Sequence, residues 1–188
     1  MMGKQLALKT EWNAKEIAIV VGFWVVAFIV FMIKEHINTK KGEKGEDLAK
    51  IREALKRLLP DYSTYTTAYA SYKTKKYQGR RTTTTYYHYA VAFKPGALFI
   101  VPIKYSGGEV SWQGNGALLT KENLSKVEYD KFFETALFGL DGRELCRLCV
   151  SASNTRQDKY EPFNIQQKEE AEKFKEFIVE FAREVENR

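Results

Sequence analysis

An unbroken apolar run is the first feature of the chain. Ile17–Ile33 reads IAIVVGFWVVAFIVFMI, seventeen residues without a charged side chain. As a helix this run is about 25 Å long, and the aliphatic stems of Lys15 and Lys34 extend it toward the thickness of a bilayer core. A core helix of a globular domain would have a polar face, and this run has none. A cleaved signal peptide would be followed by a cleavage site, whereas charged residues follow this run. The pattern predicts a transmembrane helix over residues 14–34, preceded by a short tail of residues 1–13.

Unequal basic flanks orient the predicted span. Three lysines precede it, whereas six Lys or Arg residues follow it within about 20 residues. This excess predicts that the C-terminal side faces the cytoplasm, and two cysteines are compatible with a reducing compartment. We therefore expect a single-pass protein of the cell membrane with an extracytoplasmic N-terminus.

A polar segment and an amphipathic helix come next. Residues 35–45 contain glycine and lack apolar periodicity, so they are predicted to form a linker. Glu46 and Asp47 favour the positive end of a helix that Pro60 ends, which predicts a helix over residues 47–59. Such a helix packs its apolar stripe either on the following domain or on a partner helix. The stripe consists of Leu48, Ile51, Leu55, Leu58 and Leu59.

Tyrosine and threonine become frequent after this helix and predict a sheet over residues 62–152. The Gln-Gly pair at 78–79 lies between two such runs, and the Asp-Gly pair at 141–142 lies between two apolar runs. Both pairs predict hairpin turns. We expect about seven antiparallel strands within a domain of residues 46–188.

An amphipathic helix is predicted at the C-terminus, over residues 165–186. Lysine and glutamate fill its polar faces, and its apolar stripe consists of Phe174, Phe177, Ile178, Phe181 and Val185. We expect this stripe to close the open side of a curved sheet, because three buried phenylalanines remove a large apolar area from water.

This order of elements, together with the run Tyr86–Tyr105 (YYHYAVAFKPGALFIVPIKY), resembles the bacterial members of the pleckstrin-homology-like (PH-like) superfamily. The resemblance covers residues 62–186 and rests on element order and apolar pattern. It implies an α+β fold in which a bent antiparallel sheet or barrel is capped by the C-terminal helix, here after an N-terminal transmembrane helix. The chain is also similar to single-span bacterial membrane proteins that carry such a domain in the cytoplasm. The resemblance implies binding of lipid head groups, peptides or membrane proteins rather than catalysis.

Positive charge is concentrated in the middle of the chain. Residues 60–105 carry seven Lys or Arg and one acid, whereas residues 106–188 carry twelve Lys or Arg and sixteen Asp or Glu. This asymmetry favours an anionic partner such as phospholipid. The densest cluster, on the hairpin around Gly79, consists of Lys73, Lys75, Lys76, Arg80 and Arg81.

Two interpretations of this cluster compete. PH domains that bind phosphoinositides use basic residues on the first hairpin, so the resemblance implies a lipid-binding or anion-binding site here. Alternatively, the cations only protect a Thr/Tyr-rich strand edge from pairing with other chains. Interleaved tyrosines also permit base stacking, but the predicted membrane anchor argues against nucleic acid as a partner. Those tyrosines are Tyr62, Tyr65, Tyr69, Tyr72, Tyr77, Tyr86, Tyr87 and Tyr89.

Patterns typical of catalysis are weak. Cys146 and Cys149 have redox spacing but fall in a predicted strand rather than at a helix N-terminus, and four zinc ligands are out of reach. His88 has no acidic neighbour in sequence, as expected of a structural histidine. We expect no enzyme activity, no cofactor and no metal. The leading hypothesis is a membrane-anchored module that binds anionic lipid or a partner protein. The alternative is an assembly subunit that associates through the transmembrane or Leu48–Leu59 helix.

Overall fold

The computed structural model describes residues 24, 26, 28–30, 32, 46–106, 109–154 and 160–188. The chain divides into two compact units, Met1–Asn38 and Thr39–Arg188. The elements labelled below all belong to the second unit.

The predicted membrane-spanning helix is not found among the residues that the structure describes. Six residues between 24 and 32 are described, all helical, and within the described part of the chain no helix is long and apolar enough to cross a membrane. This finding contradicts the N-terminal span in the predicted fold class, the single-pass topology and the cell-membrane localisation. Hydropathy measures apolar character, whereas a span needs about 20 residues of continuous helix, and the apolar run has seventeen. The predicted tail and linker, residues 1–13 and 35–45, lie outside the described residues.

Helix α1 (Glu46–Leu58) packs on one face of the main sheet. Two acids lie in its first turn and two basic residues in its last, and both favour the helix dipole. The apolar stripe of α1 is buried against sheet residues that include Tyr69, Ala90, Phe99 and Val101. The stripe is therefore used inside the domain.

The main sheet is antiparallel and has the strand order β1-β2-β3-β4, with β5 paired to the beginning of β3. A 3₁₀ turn at Tyr62–Thr64 leads into it. The strands are β1 (Thr66–Gln78), β2 (Arg81–Lys94), β3 (Ala97–Ser106), β4 (Glu109–Trp112) and β5 (Ala117–Thr120).

A second antiparallel sheet has the order β6-β7-β8. Its strands are β6 (Leu124–Tyr129), β7 (Thr135–Gly139) and β8 (Glu144–Leu148). Ser71 and Cys149 exchange backbone hydrogen bonds of 2.9 and 3.0 Å, which join β1 to the residue after β8. The two sheets are thus connected at this corner. Two short strands, β9 (Ser153–Asn154) and β10 (Ile165–Gln166), pair beside them.

Helix α2 (Lys168–Glu186) packs against residues of both large sheets. All five residues of its predicted apolar stripe are buried, which confirms the sequence interpretation. The rings of Phe174 and Phe93 lie 5.3 Å apart between centroids, in an edge-to-face arrangement. The shared core also includes Leu98, Leu124 and Leu137.

The element boundaries differ from the prediction in two ways. The described residues contain ten strands rather than about seven, because β5, β9 and β10 are too short for a clear periodic pattern. Helix α2 begins at Lys168 rather than at residue 165, because Ile165 and Gln166 pair with β9.

Candidate functional site

The β1–β2 hairpin carries the predicted basic cluster. Its strands pair along their whole length, from Thr66 opposite Phe93 to Gln78 opposite Arg81. Gly79 has a φ of +60°, which glycine adopts without the steric cost of a Cβ, and it occupies the first central position of the turn. Every residue from 75 to 83 is exposed, and we call this segment the hairpin tip.

Four of the five predicted site residues lie in the hairpin tip: Lys75, Lys76, Arg80 and Arg81. Among the described residues, none of the four has an ion-pair partner. Lys75 lies opposite Thr84, and Lys76 lies opposite Thr83, so the two lysines leave opposite faces of the hairpin. The tip therefore presents positive charge on both faces and at its end.

Lys73 is also exposed, but it lies outside the hairpin tip and has partners within the domain. Its ammonium lies 3.8 Å from a carboxylate oxygen of Glu161 and 4.9 Å from the centre of the Tyr86 ring. The structure thus separates one predicted site residue, which has partners within the domain, from four at the hairpin tip.

Tyr77 adds an aromatic ring to the hairpin tip. It is 73% exposed and points to the same face of β1 as Lys75, two residues earlier. In the sequence, Tyr77 is one of eight interleaved tyrosines. Its position one residue from the predicted turn was the signal that could have distinguished it.

Most of the other hairpin tyrosines pack against neighbouring rings. Tyr72 stacks with Tyr87 at 6.2 Å between centroids, and Tyr86 stacks with Tyr160 at 5.7 Å. Tyr69 is 2% exposed. Tyr69 and Tyr86 are therefore poor platforms for unpaired bases, whereas Tyr87 remains 42% exposed.

His88 has hydrogen-bond partners at both ring nitrogens. Nδ1 lies 2.7 Å from the Tyr69 hydroxyl, and Nε2 lies 2.9 Å from the Tyr160 carbonyl oxygen. Burial lowers the pKa of His88, against opposite contributions from that carbonyl and from Glu161. Both contacts serve to hold a neutral imidazole between β2 and the segment before β10.

A cleft of about 760 Å³ opens in a part of the domain that α2 does not line. Along β2, Phe93 contacts α2, whereas Tyr87 and Tyr89 line the cleft. Its remaining walls come from β3, the turn before β5, β5 itself and β8, with Ile100, Pro102, Gly116, Leu119, Leu145 and Cys146 among the lining residues. No sequence pattern predicts this cleft, because its walls bring β8 together with β2, β3 and β5, which lie more than 20 residues earlier in the chain.

The two cysteines are free and differ in their surroundings. Cys146 lines the cleft, and burial raises the pKa of its thiol to about 12, with a further contribution from Glu144. Burial also raises the pKa of Cys149, whose sulfur lies 3.8 Å from the Ser151 hydroxyl oxygen. Thiols that remain protonated at neutral pH are weak nucleophiles and weak metal ligands.

Within the described ranges, no group of three or more His, Cys, Asp or Glu side chains could hold a metal ion. Comparison of the chain with family models, with curated proteins and with solved structures gave no match. The hairpin tip and the cleft are therefore the two candidate sites of this domain.

Proposed function

We propose that this chain is a non-enzymatic binding module that attaches to anionic phospholipid surfaces through the hairpin tip. The observation that carries the proposal is the exposure of four cations and one tyrosine on a tip without acidic residues. The nearest acids along the chain are Asp61 and Glu109. The proposal requires no membrane anchor.

The arrangement of the hairpin tip supports a lipid surface as the partner. A hairpin that carries cations on both faces can enter a layer of head groups and meet phosphates on each side. Each Lys or Arg near an anionic bilayer contributes about 1 kcal/mol, so four contribute about 4 kcal/mol, or about a thousandfold in affinity. Tyr77 adds an amphipathic ring of the kind found at membrane–water interfaces.

Nucleic acid is the competing anionic partner. The sequence argument against it depended on the predicted anchor, which the structure contradicts. The burial of Tyr69 and the stacking of Tyr86 on Tyr160 give a different argument, because these two rings are not open to bases. An oligonucleotide is therefore included in the test below.

We also infer a PH-like architecture for residues 46–188. Three observations support it: the hairpin order of the main sheet, the Ser71–Cys149 bridge to the second sheet, and the packing of α2 across the core. The assembly-subunit alternative receives no support from α1, because its apolar stripe is buried against the sheet.

The experiment compares binding of the full chain to phosphatidylcholine vesicles with and without phosphatidylserine, at about 0.1 M and about 0.5 M salt. The tip variant carries Lys75→Gln, Lys76→Gln, Arg80→Gln and Arg81→Gln. A matched control removes the same charge from exposed lysines elsewhere, with Lys56→Gln, Lys121→Gln, Lys168→Gln and Lys173→Gln. The measured quantity is the ratio of the affinity for anionic vesicles to the affinity for neutral vesicles. Apolar adsorption contributes equally to both affinities and therefore cancels in the ratio.

We expect the preference to disappear in the tip variant and at high salt, and to persist in the control variant. Equal losses in both variants would show that net charge alone drives binding and would refute a site at the hairpin tip. If the tip variant instead loses affinity for a single-stranded or duplex oligonucleotide that binds more tightly than the vesicles, the lipid assignment is wrong.

A further inference from the structure

We propose that the cleft between β2, β3, β5 and β8 binds an aliphatic carboxylate, an alkyl chain with one negatively charged end. This inference is independent of the hairpin tip and of the lipid surface proposed for it. It rests on the size of the cleft, its apolar walls and the sign of its charged lining side chain.

The cleft has the size and chemistry of a small-molecule site. Its volume of about 760 Å³ lies within the range of about 300–1,000 Å³ that is usual for ligand pockets. Apolar side chains that would normally be buried remain in contact with water at its walls: Leu145 is 51% exposed and Tyr87 is 42% exposed. An alkyl chain in the cleft would remove both surfaces from water.

A β-bulge directs an extra apolar residue into the cleft. Cys146 pairs with Leu137 and Glu144 pairs with Phe138, so Leu145 between them has no partner on β7. Both Leu145 and Cys146 line the cleft, although successive residues of a regular strand point to opposite faces.

The opposite wall is formed by a turn that lies close to β3. Gly116 has a φ of +73°, and a Cβ placed there would collide with the Phe99 ring and lie 3.0 Å from the Ile100 carbonyl oxygen. Only glycine therefore allows the backbone to approach this closely. The turn also places Gln113 and Asn115, two potential hydrogen-bond donors, among the lining residues.

The charge of the lining selects the sign of the ligand. Lys104 is the lining residue with a fully charged side chain, and no acidic residue is among the described residues that line the cleft. The His88 imidazole is held by Tyr69 and Tyr160. Glu144 precedes the lining residue Leu145 in the chain, and its carboxylate forms an ion pair with the Arg147 guanidinium at 2.7 Å. An anionic end can approach Lys104, whereas a cationic end has no lining partner.

The experiment measures binding of octanoate, decanoate and dodecanoate to the full chain by calorimetry, below their micelle concentrations. Dodecyltrimethylammonium, with the opposite charge, is the comparison ligand. Affinity should rise about fourfold for each methylene that becomes buried. The cationic amphiphile should bind more weakly than dodecanoate.

Variants of the lining locate the binding. Lys104→Gln should weaken dodecanoate binding about fivefold, whereas Lys56→Gln, on α1, should leave it unchanged. Cys146→Phe should block the cleft. If Cys146→Phe prevents folding, Leu145→Asn provides the test instead. Leu145 is exposed enough for the fold to tolerate this change, which should weaken dodecanoate binding.

Three results would overturn the proposal: no measurable binding, affinity that does not depend on chain length, or undiminished binding in both Leu145→Asn and a folded Cys146→Phe variant. Equal binding of the cationic amphiphile would refute the role of Lys104. The tip variant should bind dodecanoate normally, so failure here and failure of the vesicle experiment are distinguishable.

Discussion

Gln167 provides the most direct test of how the sheets are held to α2. Its side chain is 1% exposed and immediately precedes the helix. Its Oε1 accepts a hydrogen bond of 2.8 Å from the Tyr69 N–H, and its Nε2 donates bonds of 2.7 Å to the Tyr69 carbonyl and 2.8 Å to the Ser151 carbonyl. One buried amide thus satisfies three backbone groups on two segments, two of them on Tyr69 in β1 and one on Ser151 after β8.

Gln167→Leu keeps a side chain of similar length but removes all three hydrogen bonds. A backbone group that is buried without a partner costs about 1–3 kcal/mol, and burial of the leucine offsets part of the total. We expect the free energy of unfolding to fall by about 3–5 kcal/mol. This is a large share of the roughly 5–15 kcal/mol that stabilises a typical domain.

Urea unfolding followed by far-ultraviolet circular dichroism measures this change. The exposed neighbour gives a matched control, because Gln166→Leu should change stability by only about 0.5 kcal/mol. The slope of the transition should stay constant while the midpoint moves. A loss under about 1 kcal/mol for Gln167→Leu, equal to that of the control, would refute the inference that these hydrogen bonds stabilise the corner.

Two further predictions concern the core and the buried histidine. Phe174→Ala should cost about 3–5 kcal/mol in the same assay, whereas Phe132→Ala, at a side chain 70% exposed, should cost little; equal transitions would contradict the packing of α2. Because burial lowers the pKa of His88 from its usual 6.5, the unfolded chain binds this proton more readily than the folded domain. Stability should therefore decline as the pH falls from 6.5 toward the folded-state pKa, and the loss of unfolding free energy caused by His88→Gln should become smaller over the same interval. If the difference in unfolding free energy between His88→Gln and the unmutated protein stays constant with pH, the titration of His88 does not contribute to stability.

Several elements follow from local sequence alone. The stripe of α2 was predicted because helical periodicity places Phe174, Phe177 and Phe181 on one face whatever they pack against. The turn at Gly79 was predicted because a tight hairpin needs a residue that accepts positive φ. The concentration of cations near that turn is likewise a property of the sequence.

The apolar run 17–33 shows where local pattern is insufficient. Its composition is typical of a membrane span, yet no described helix is long and apolar enough to cross a bilayer. Apolar content and continuous helical length are separate properties, and the hydropathy of the sequence reports only the first.

Local sequence is sufficient to predict the helical stripes, the hairpin turn and the positive charge around it, because each depends on residues that are close together along the chain. Other features require the folded chain: Lys73 lies beside Glu161, whereas Lys75 has no ion-pair partner among the described residues. Four strands likewise enclose a cleft lined by Lys104 and Leu145 only after folding. These features depend on strand register and on contacts between distant segments. No periodicity in the sequence encodes them, because the pairing energy is shared among many residues that meet only when the chain folds.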